Sequence, residues 1–90
     1  MVRKHFRFTG RVQGVGFRTR AKYAACGMCI TGWVRNEWDG SVEMEAQGAE
    51  GAIDQMLIMI NRSDYIVIDS IETKEIPLVE HETSFTAIYD

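Results

Sequence analysis

A glycine-rich stretch, Gly10 to Arg18, constrains the fold most, because it joins a strand-like run to a helix-like run. It reads Gly-Arg-Val-Gln-Gly-Val-Gly-Phe-Arg, with three glycines in its first seven residues. Glycines at this density keep side chains away, so that backbone N–H groups can converge on one point. The helix start that follows adds unpaired N–H groups and the positive end of the helix dipole. The stretch therefore predicts an anion site, and a tight turn beside a solvated arginine is the alternative.

Arg18 favours the anion site. A cation in the first turn of a helix faces the positive end of the dipole, at a cost of roughly 0.3–1 kcal/mol. A bound phosphate or carboxylate would reverse the sign of that interaction. It would also accept the planar guanidinium in a bidentate pair.

Length and composition limit the chain to one modest core. Its 90 residues, with 46% hydrophobic and 26% charged residues, are typical of a single globular domain, so we expect one domain over residues 1–90. No run approaches the ~20 apolar residues of a membrane span, and the first residues lack the apolar core of a signal peptide. We therefore expect a cytoplasmic protein without a membrane partner.

The two cysteines, Cys26 and Cys29, are too few for a disulfide framework. They fall at the end of a predicted helix, where the dipole opposes a reactive thiolate. A zinc site would need two further ligands. We expect both to be semi-buried structural thiols, and we expect no metal.

Charge is divided sharply between the two parts of the chain. Residues 1–36 hold eight of the ten Lys and Arg and no acid, which gives +8; residues 37–90 hold two cations and all thirteen acids, which gives −11. Either the two parts pair with each other, or a positive field is focused on the glycine loop and attracts a small anion. A nucleic-acid partner is disfavoured, because a polyanion would also meet the acidic part.

Hydrophobic periodicity predicts seven elements of secondary structure. Phe6 and Phe8 alternate with polar residues as in a half-buried strand, and Asp39-Gly40 marks a tight hairpin turn between two further alternating runs. Apolar residues recur at helical spacing after the glycine loop and again after Gly48. The predicted elements are strands over 4–9, 30–36, 41–47, 65–76 and 84–89 and helices over 17–28 and 48–61.

The order of these elements through residue 76 is β-α-β-β-α-β, and residues 84–89 form a last strand. Two helices cannot cover both faces of a four-stranded sheet. We therefore expect an α+β, two-layer sandwich of the ferredoxin-like type, with an antiparallel sheet and both helices on one face.

A second feature, Gly32-Trp33-Val34-Arg35-Asn36, ends a predicted strand just before the hairpin turn. Asn36 is either a turn former or a residue that holds a water molecule through its carbonyl and amide groups. Residues 1–36 contain no carboxylate, and no Cys, Ser or His lies near the loop in sequence. An enzyme built on these residues would position water rather than activate a side chain.

Together the two motifs resemble the signatures of the acylphosphatases. Gly10 to Arg18 is similar to the first signature, and Gly32 to Asn36, followed by Asp39-Gly40-Ser41-Val42-Glu43, is similar to the second. The resemblance spans the whole chain. It implies a small α/β sandwich that hydrolyses acyl phosphates to a carboxylate and inorganic phosphate, without metal or cofactor.

The same resemblance implies roles for individual residues. Arg18 is expected to bind the phosphate, and Asn36 to orient the attacking water. The backbone of the loop is expected to cradle the phosphate through Gln13, Gly14, Val15, Gly16, Phe17 and Arg18. The sequence names no physiological acyl phosphate, and we expect a monomer.

One departure from the family pattern and two other functions remain open. Cys29 stands where the family usually has a glycine after the first helix, so either Cys29 adopts a positive φ or the helix ends differently. An RNA-binding module would need Phe6 and Phe8 exposed for stacking. A regulatory domain, like the N-terminal domain of hydrogenase-maturation carbamoyltransferases, is the other alternative. The end of the chain, one residue after the last strand, favours a stand-alone enzyme.

Overall fold

A computed structural model of the chain describes residues 1–89. Its elements are β1 (Val2–Arg11), α1 (Phe17–Gly27), β2 (Thr31–Asn36), β3 (Val42–Gly48), α2 (Glu50–Asn61), β4 (Val67–Ile76) and β5 (Phe85–Ile88). Each predicted element is present, with boundaries within two residues of those expected. The α+β sandwich of the ferredoxin-like type is confirmed.

The sheet has five strands in the order β4-β1-β3-β2-β5. The first four strands in this order pair antiparallel, as expected. The fifth strand, β5, is added in parallel beside β2, with Ile88 opposite Arg35. Because β5 runs parallel to β2, the end of β5 lies next to the end of β2.

One face of the sheet packs against both helices. Phe6 and Phe8 on β1 are 1% and 0% exposed, and their rings stack with centroids 5.7 Å apart. The helices contribute buried residues at helical spacing, as predicted: Phe17, Ala21, Ala24 and Ala25 on α1, and Ile53, Met56 and Ile60 on α2. Small alanines let α1 approach the sheet closely. Because Phe6 and Phe8 are buried in this core, they offer no stacking surface to RNA.

The opposite face of the sheet is a layer of ion pairs. Arg3, only 2% exposed, meets Glu45 at 2.9 Å and Glu82 at 2.7 Å. Arg7 bridges Asp39 and Glu72. These pairs join cations of the first 36 residues to acids of the remainder, so pairing between the two parts of the chain accounts for much of the charge division.

The two cysteines near the end of α1 are more exposed than predicted, and Cys29 has an unusual backbone conformation. Cys29 has a φ of 55°, so the first of the two alternatives left open for this position is the one found. Both Cys26 and Cys29 are exposed, so the prediction of semi-buried thiols was wrong. Ala24 and Ala25 take the buried positions on this turn of α1, which leaves Cys26 on the solvent side.

Neither α1 nor α2, the helices of residues 1–89, is long and apolar enough to cross a membrane.

Candidate active site

Three strands end at one edge of the sheet. Strands β1 and β2 both run antiparallel to β3, and β5 runs parallel to β2, so β1, β2 and β5 share one direction. The glycine loop follows β1, Asn36 is the last residue of β2, and Tyr89 follows β5. The fold therefore brings the two sequence motifs together at this edge, with the end of the chain's last strand beside them.

The glycine loop is shaped as a backbone concavity. Gly14 and Gly16 have φ values of 72° and 82°, in the left-handed region that favours glycine. Buried Val12 and Phe17 anchor the two ends of the loop in the core. Gly16 is the N-cap of α1 and supplies no side chain to cap it.

The N–H groups of this loop are available to a ligand. The first helical bond runs from Arg20 N–H to the Gly16 carbonyl, at 3.0 Å. Within residues 1–89, the backbone N–H groups of residues 13–19 donate to no other group. Unpaired donors at a helix start, together with the dipole, form an anion-binding concavity.

Arg18 is fixed by the end of β5. Its Nη1 donates to the Ile88 carbonyl at 3.1 Å, and its Cζ lies 4.1 Å from the centroid of the Tyr89 ring. Ile88 stands opposite Arg35, one residue before Asn36. The guanidinium is therefore held close to the residue expected to orient water.

Asn36 carries an unsatisfied buried oxygen. Its Oδ1 is buried and has no hydrogen-bond partner among the described residues. Leaving such an acceptor unpaired costs about 1–3 kcal/mol, so it needs an external donor such as a water molecule or a ligand.

The hairpin turn is made by other residues than Asn36. The Gly40 N–H donates to the Glu37 carbonyl at 3.2 Å, which closes the turn. Asp39 accepts the hydroxyl and N–H of Ser41 at 2.6 and 3.0 Å, and also a guanidinium nitrogen of Arg7 at 2.9 Å. These bonds, those from Ser41 foremost, hold the pKa of the Asp39 carboxyl well below its usual range. Asn36 is the last residue of β2 and takes part in none of these bonds that form the turn.

Gln13 connects the two motifs through its side chain, a role that sequence reasoning missed. Its Nε2 donates to the carbonyls of Glu37 and Ser41, at 2.6 and 2.8 Å. These two carbonyls flank the hairpin turn directly after Asn36. The sequence shows that the glycine loop contains a glutamine, whose side chain can donate hydrogen bonds. It does not show which groups accept them, because the acceptors lie 24 and 28 residues further along the chain.

The cations of residues 1–36 fall into two groups, those that form ion pairs and those that do not. Of the eight cations in residues 1–36, four form ion pairs: Arg3, Lys4, Arg7 and Arg35. Within residues 1–89, the other four make none: Arg11, Arg18, Arg20 and Lys22. All four lie between the end of β1 and the middle of α1. Pairing between the two parts of the chain thus accounts for four of these cations, and attraction of a small anion by the other four stays a prediction.

Arg20 differs from Arg18 although both lie in the first turn of α1. Its Nε donates to the Met59 carbonyl at 2.6 Å, in the last turn of α2. A cation at a helix C-terminus is favourable, so Arg20 has a structural partner.

Among residues 1–89, no group of three or more His, Cys, Asp or Glu is arranged to hold a metal ion.

Known proteins are similar to this chain in sequence and in fold. A sequence model of the family described as Acylphosphatase matches residues 4–87. An acylphosphatase from Clostridium acetobutylicum is 39% identical over 90 residues, covering 99% of each chain. The crystal structure of acylphosphatase from Bacillus subtilis aligns with a TM-score of 0.89 at 33% identity, over 99% of this chain and 100% of that one. T. kodakarensis HypF aligns with a TM-score of 0.83 at 30% identity, over 100% of this chain and 12% of that chain.

The family match includes both the glycine loop and the segment from Gly32 to Glu43. The full-length relative and the solved structure agree with it in extent and in fold. The chain belongs to the acylphosphatase family.

Proposed function

We propose that the chain hydrolyses acyl phosphates at the edge formed by β1, β2 and β5, with Arg18 and the loop holding the phosphate and Asn36 orienting water. Hydrolysis of acyl phosphates is the reaction of this family. The observation that carries the residue assignment is the buried, unpaired Oδ1 of Asn36 near a guanidinium that has no ion-pair partner within residues 1–89.

The phosphoryl group binds first. The N–H groups of Gln13 to Arg18 and the guanidinium of Arg18 donate to its oxygens. They neutralise the negative charge that develops during phosphoryl transfer. Because the loop and Arg18 are fixed beforehand by buried anchors and by β5, little reorganisation is needed when the substrate arrives.

Water then attacks phosphorus. Asn36 Oδ1 accepts a hydrogen bond from this water and directs its lone pair toward phosphorus, in line with the acyl oxygen. The new bond joins the water oxygen to phosphorus. The bond between phosphorus and the acyl oxygen breaks, and the carboxylate leaves with the electron pair. A carboxylate is a good leaving group, so no general acid is needed, and a phosphoryl oxygen takes the proton of the water.

We further propose that residues 1–90 act as one domain and as a monomer, in the cytoplasm, without a nucleic-acid or membrane partner. Its ligands are then acyl phosphates, as a class of small molecules, and inorganic phosphate. The layer of ion pairs over the open face of the sheet supports this, because it pairs four of the eight cations of residues 1–36 with carboxylates and leaves no continuous basic surface for a polyanion on that face, within residues 1–89.

Inorganic phosphate should stabilise the folded protein. At a phosphate concentration about 100 times its Kd, binding adds about 2.7 kcal/mol to the free energy of unfolding. For a domain of this size, that raises Tm by about 10 °C or more. Thermal unfolding with phosphate, against chloride at equal ionic strength, measures the shift. A Tm that responds equally to both anions would rule out the cradle, and Arg18→Ala should lose the phosphate-specific part.

Gln13 should position the loop relative to Asn36. Gln13→Glu replaces the amide donor by a carboxylate oxygen facing two carbonyls, so the loop and the hairpin should separate. We expect a loss of stability of about 1–3 kcal/mol. We also expect kcat/KM to fall by up to about 10²-fold, because a small displacement of reacting groups is costly. Kinetics and thermal unfolding of the purified variant measure the two effects.

The matched control for Gln13 is Gln55→Glu, an exposed glutamine of α2. Kinetics are measured well below the Tm of each variant, where the protein is folded. If Gln13→Glu lowers Tm but retains parental kcat and KM, the side chain supports only the fold and does not position the site.

A further inference from the structure

A groove lies between α1 and β5, beside the proposed phosphate site. Its volume is about 400 Å³. The residues that line this α1–β5 groove are Thr19, Lys22, Tyr23, Cys26, Ala87 and Tyr89. The proposed reaction assigns no role to any of them.

The groove is continuous with the phosphate site through Tyr89. The Tyr89 ring forms part of its wall, and the Arg18 guanidinium lies 4.1 Å from the centroid of the same ring. Thr19, another wall residue, directly follows Arg18. A substrate whose phosphate is held by Arg18 therefore has its remaining part within reach of the groove.

The wall chemistry favours a flat, apolar group. Tyr23 and Tyr89 are 77% and 63% exposed, an amount of uncovered aromatic surface that suits contact with a ligand. Ala87 is small and leaves room on the β5 side, and the volume falls within the range of small-molecule sites. Among the described residues, the one charged side chain in the wall is the cation Lys22, which suits an anionic substrate.

We infer that the α1–β5 groove holds the acyl group of the substrate and favours aromatic acyl phosphates over small aliphatic ones. This rests on the proposed function, since it presumes that Arg18 holds the phosphate. Tyr23 is then a specificity-determining residue. Its ring contributes binding only to substrates whose acyl group is long enough to reach it.

The test compares benzoyl phosphate with acetyl phosphate. For each protein, the kcat/KM for benzoyl phosphate is divided by the kcat/KM for acetyl phosphate. This ratio in a variant is then divided by the ratio in the parental protein, because the division cancels the intrinsic reactivity of the two substrates. Tyr23→Ala should lower this quantity about tenfold, the effect of one lost apolar contact in a pocket. Tyr23→Phe keeps the ring and should leave it unchanged.

Tyr65→Ala is the matched control, since Tyr65 is 72% exposed and does not line the groove. If the ratio is unchanged in Tyr23→Ala, whether kcat/KM stays the same or falls equally for both substrates, the inference is overturned. Failure of the parental protein to hydrolyse either substrate would instead overturn the proposed function. A measurement without mutation accompanies these: phenylphosphonate should inhibit the parental protein about tenfold more strongly than methylphosphonate, and equal inhibition would also refute the groove as the acyl site.

Discussion

Replacing Asn36 by alanine is expected to lower kcat about 10²–10³-fold, the usual effect of removing one positioned polar contact. Phosphate binding should survive, because Arg18 and the loop are intact, so phosphate should still raise the Tm of Asn36→Ala. The Tm without phosphate should be equal to or above the parental value, since the change removes a buried oxygen that has no partner within residues 1–89. Steady-state kinetics and thermal unfolding on one preparation measure all three.

A turn-forming role for Asn36 predicts the opposite signs, namely a lower Tm and an unchanged kcat. Asn61→Ala, at the exposed end of α2, is the matched control and should be neutral in kcat. Asn36→Asp should also be slow, because a carboxylate repels the substrate and lacks the amide donor. Full turnover in Asn36→Ala would remove the residue from the mechanism.

Replacing Arg18 by lysine is expected to cost about 10³-fold or more in kcat, the range seen when an arginine that stabilises phosphoryl-transfer charge is lost. Lysine keeps the charge but not the planar fork, and it is not expected to reproduce both the bond to the Ile88 carbonyl and the stacking on Tyr89. The phosphate-induced rise in Tm should shrink in parallel. Kinetics with acetyl phosphate and a phosphate titration measure both effects.

Arg20→Lys is the matched control, since Arg20 lies in the same helical turn and bonds to the Met59 carbonyl. It should lose some stability and retain turnover. If Arg18→Lys and Arg20→Lys behave alike in kcat, Arg18 does not hold the phosphate, and general charge around the loop accounts for binding.

Local patterns predicted the elements of this fold because each carries its own periodicity. The alternation of Phe6 and Phe8 and the helical spacing of Phe17, Ala21 and Ala24 were both matched by burial in the structure. The parallel placement of β5 beside β2 was not predicted, because periodicity shows which residues face the core but not which strand is the neighbour. For the same reason, the contact of Arg18 with Ile88 was not visible in the sequence.

The site was predictable where backbone conformation is local. The positive φ of Gly14 and Gly16 is typical of a glycine-rich loop before a helix, whereas the positive φ of Cys29 was one of two alternatives that the sequence left open. Burial of single side chains was harder to predict: Cys26 and Cys29 are both exposed, and Cys26 is so because the neighbouring alanines of α1 occupy the core side. The roles of Arg18 and Asn36 stay predictions until the experiments above are done.

The anchoring of Arg18 by the last strand has a consequence for folding. The bond from Arg18 to Ile88 joins residues 70 positions apart, so this part of the site can form only after most of the chain is ordered. Strand β5 has four residues, is an outermost strand of the sheet and, within residues 1–89, pairs only with β2. Short edge elements open more readily than the rest of a domain, and each opening of β5 would release the guanidinium. Amide hydrogen exchange in β5 and loss of turnover in mild denaturant should therefore report the same local unfolding event, before the core melts.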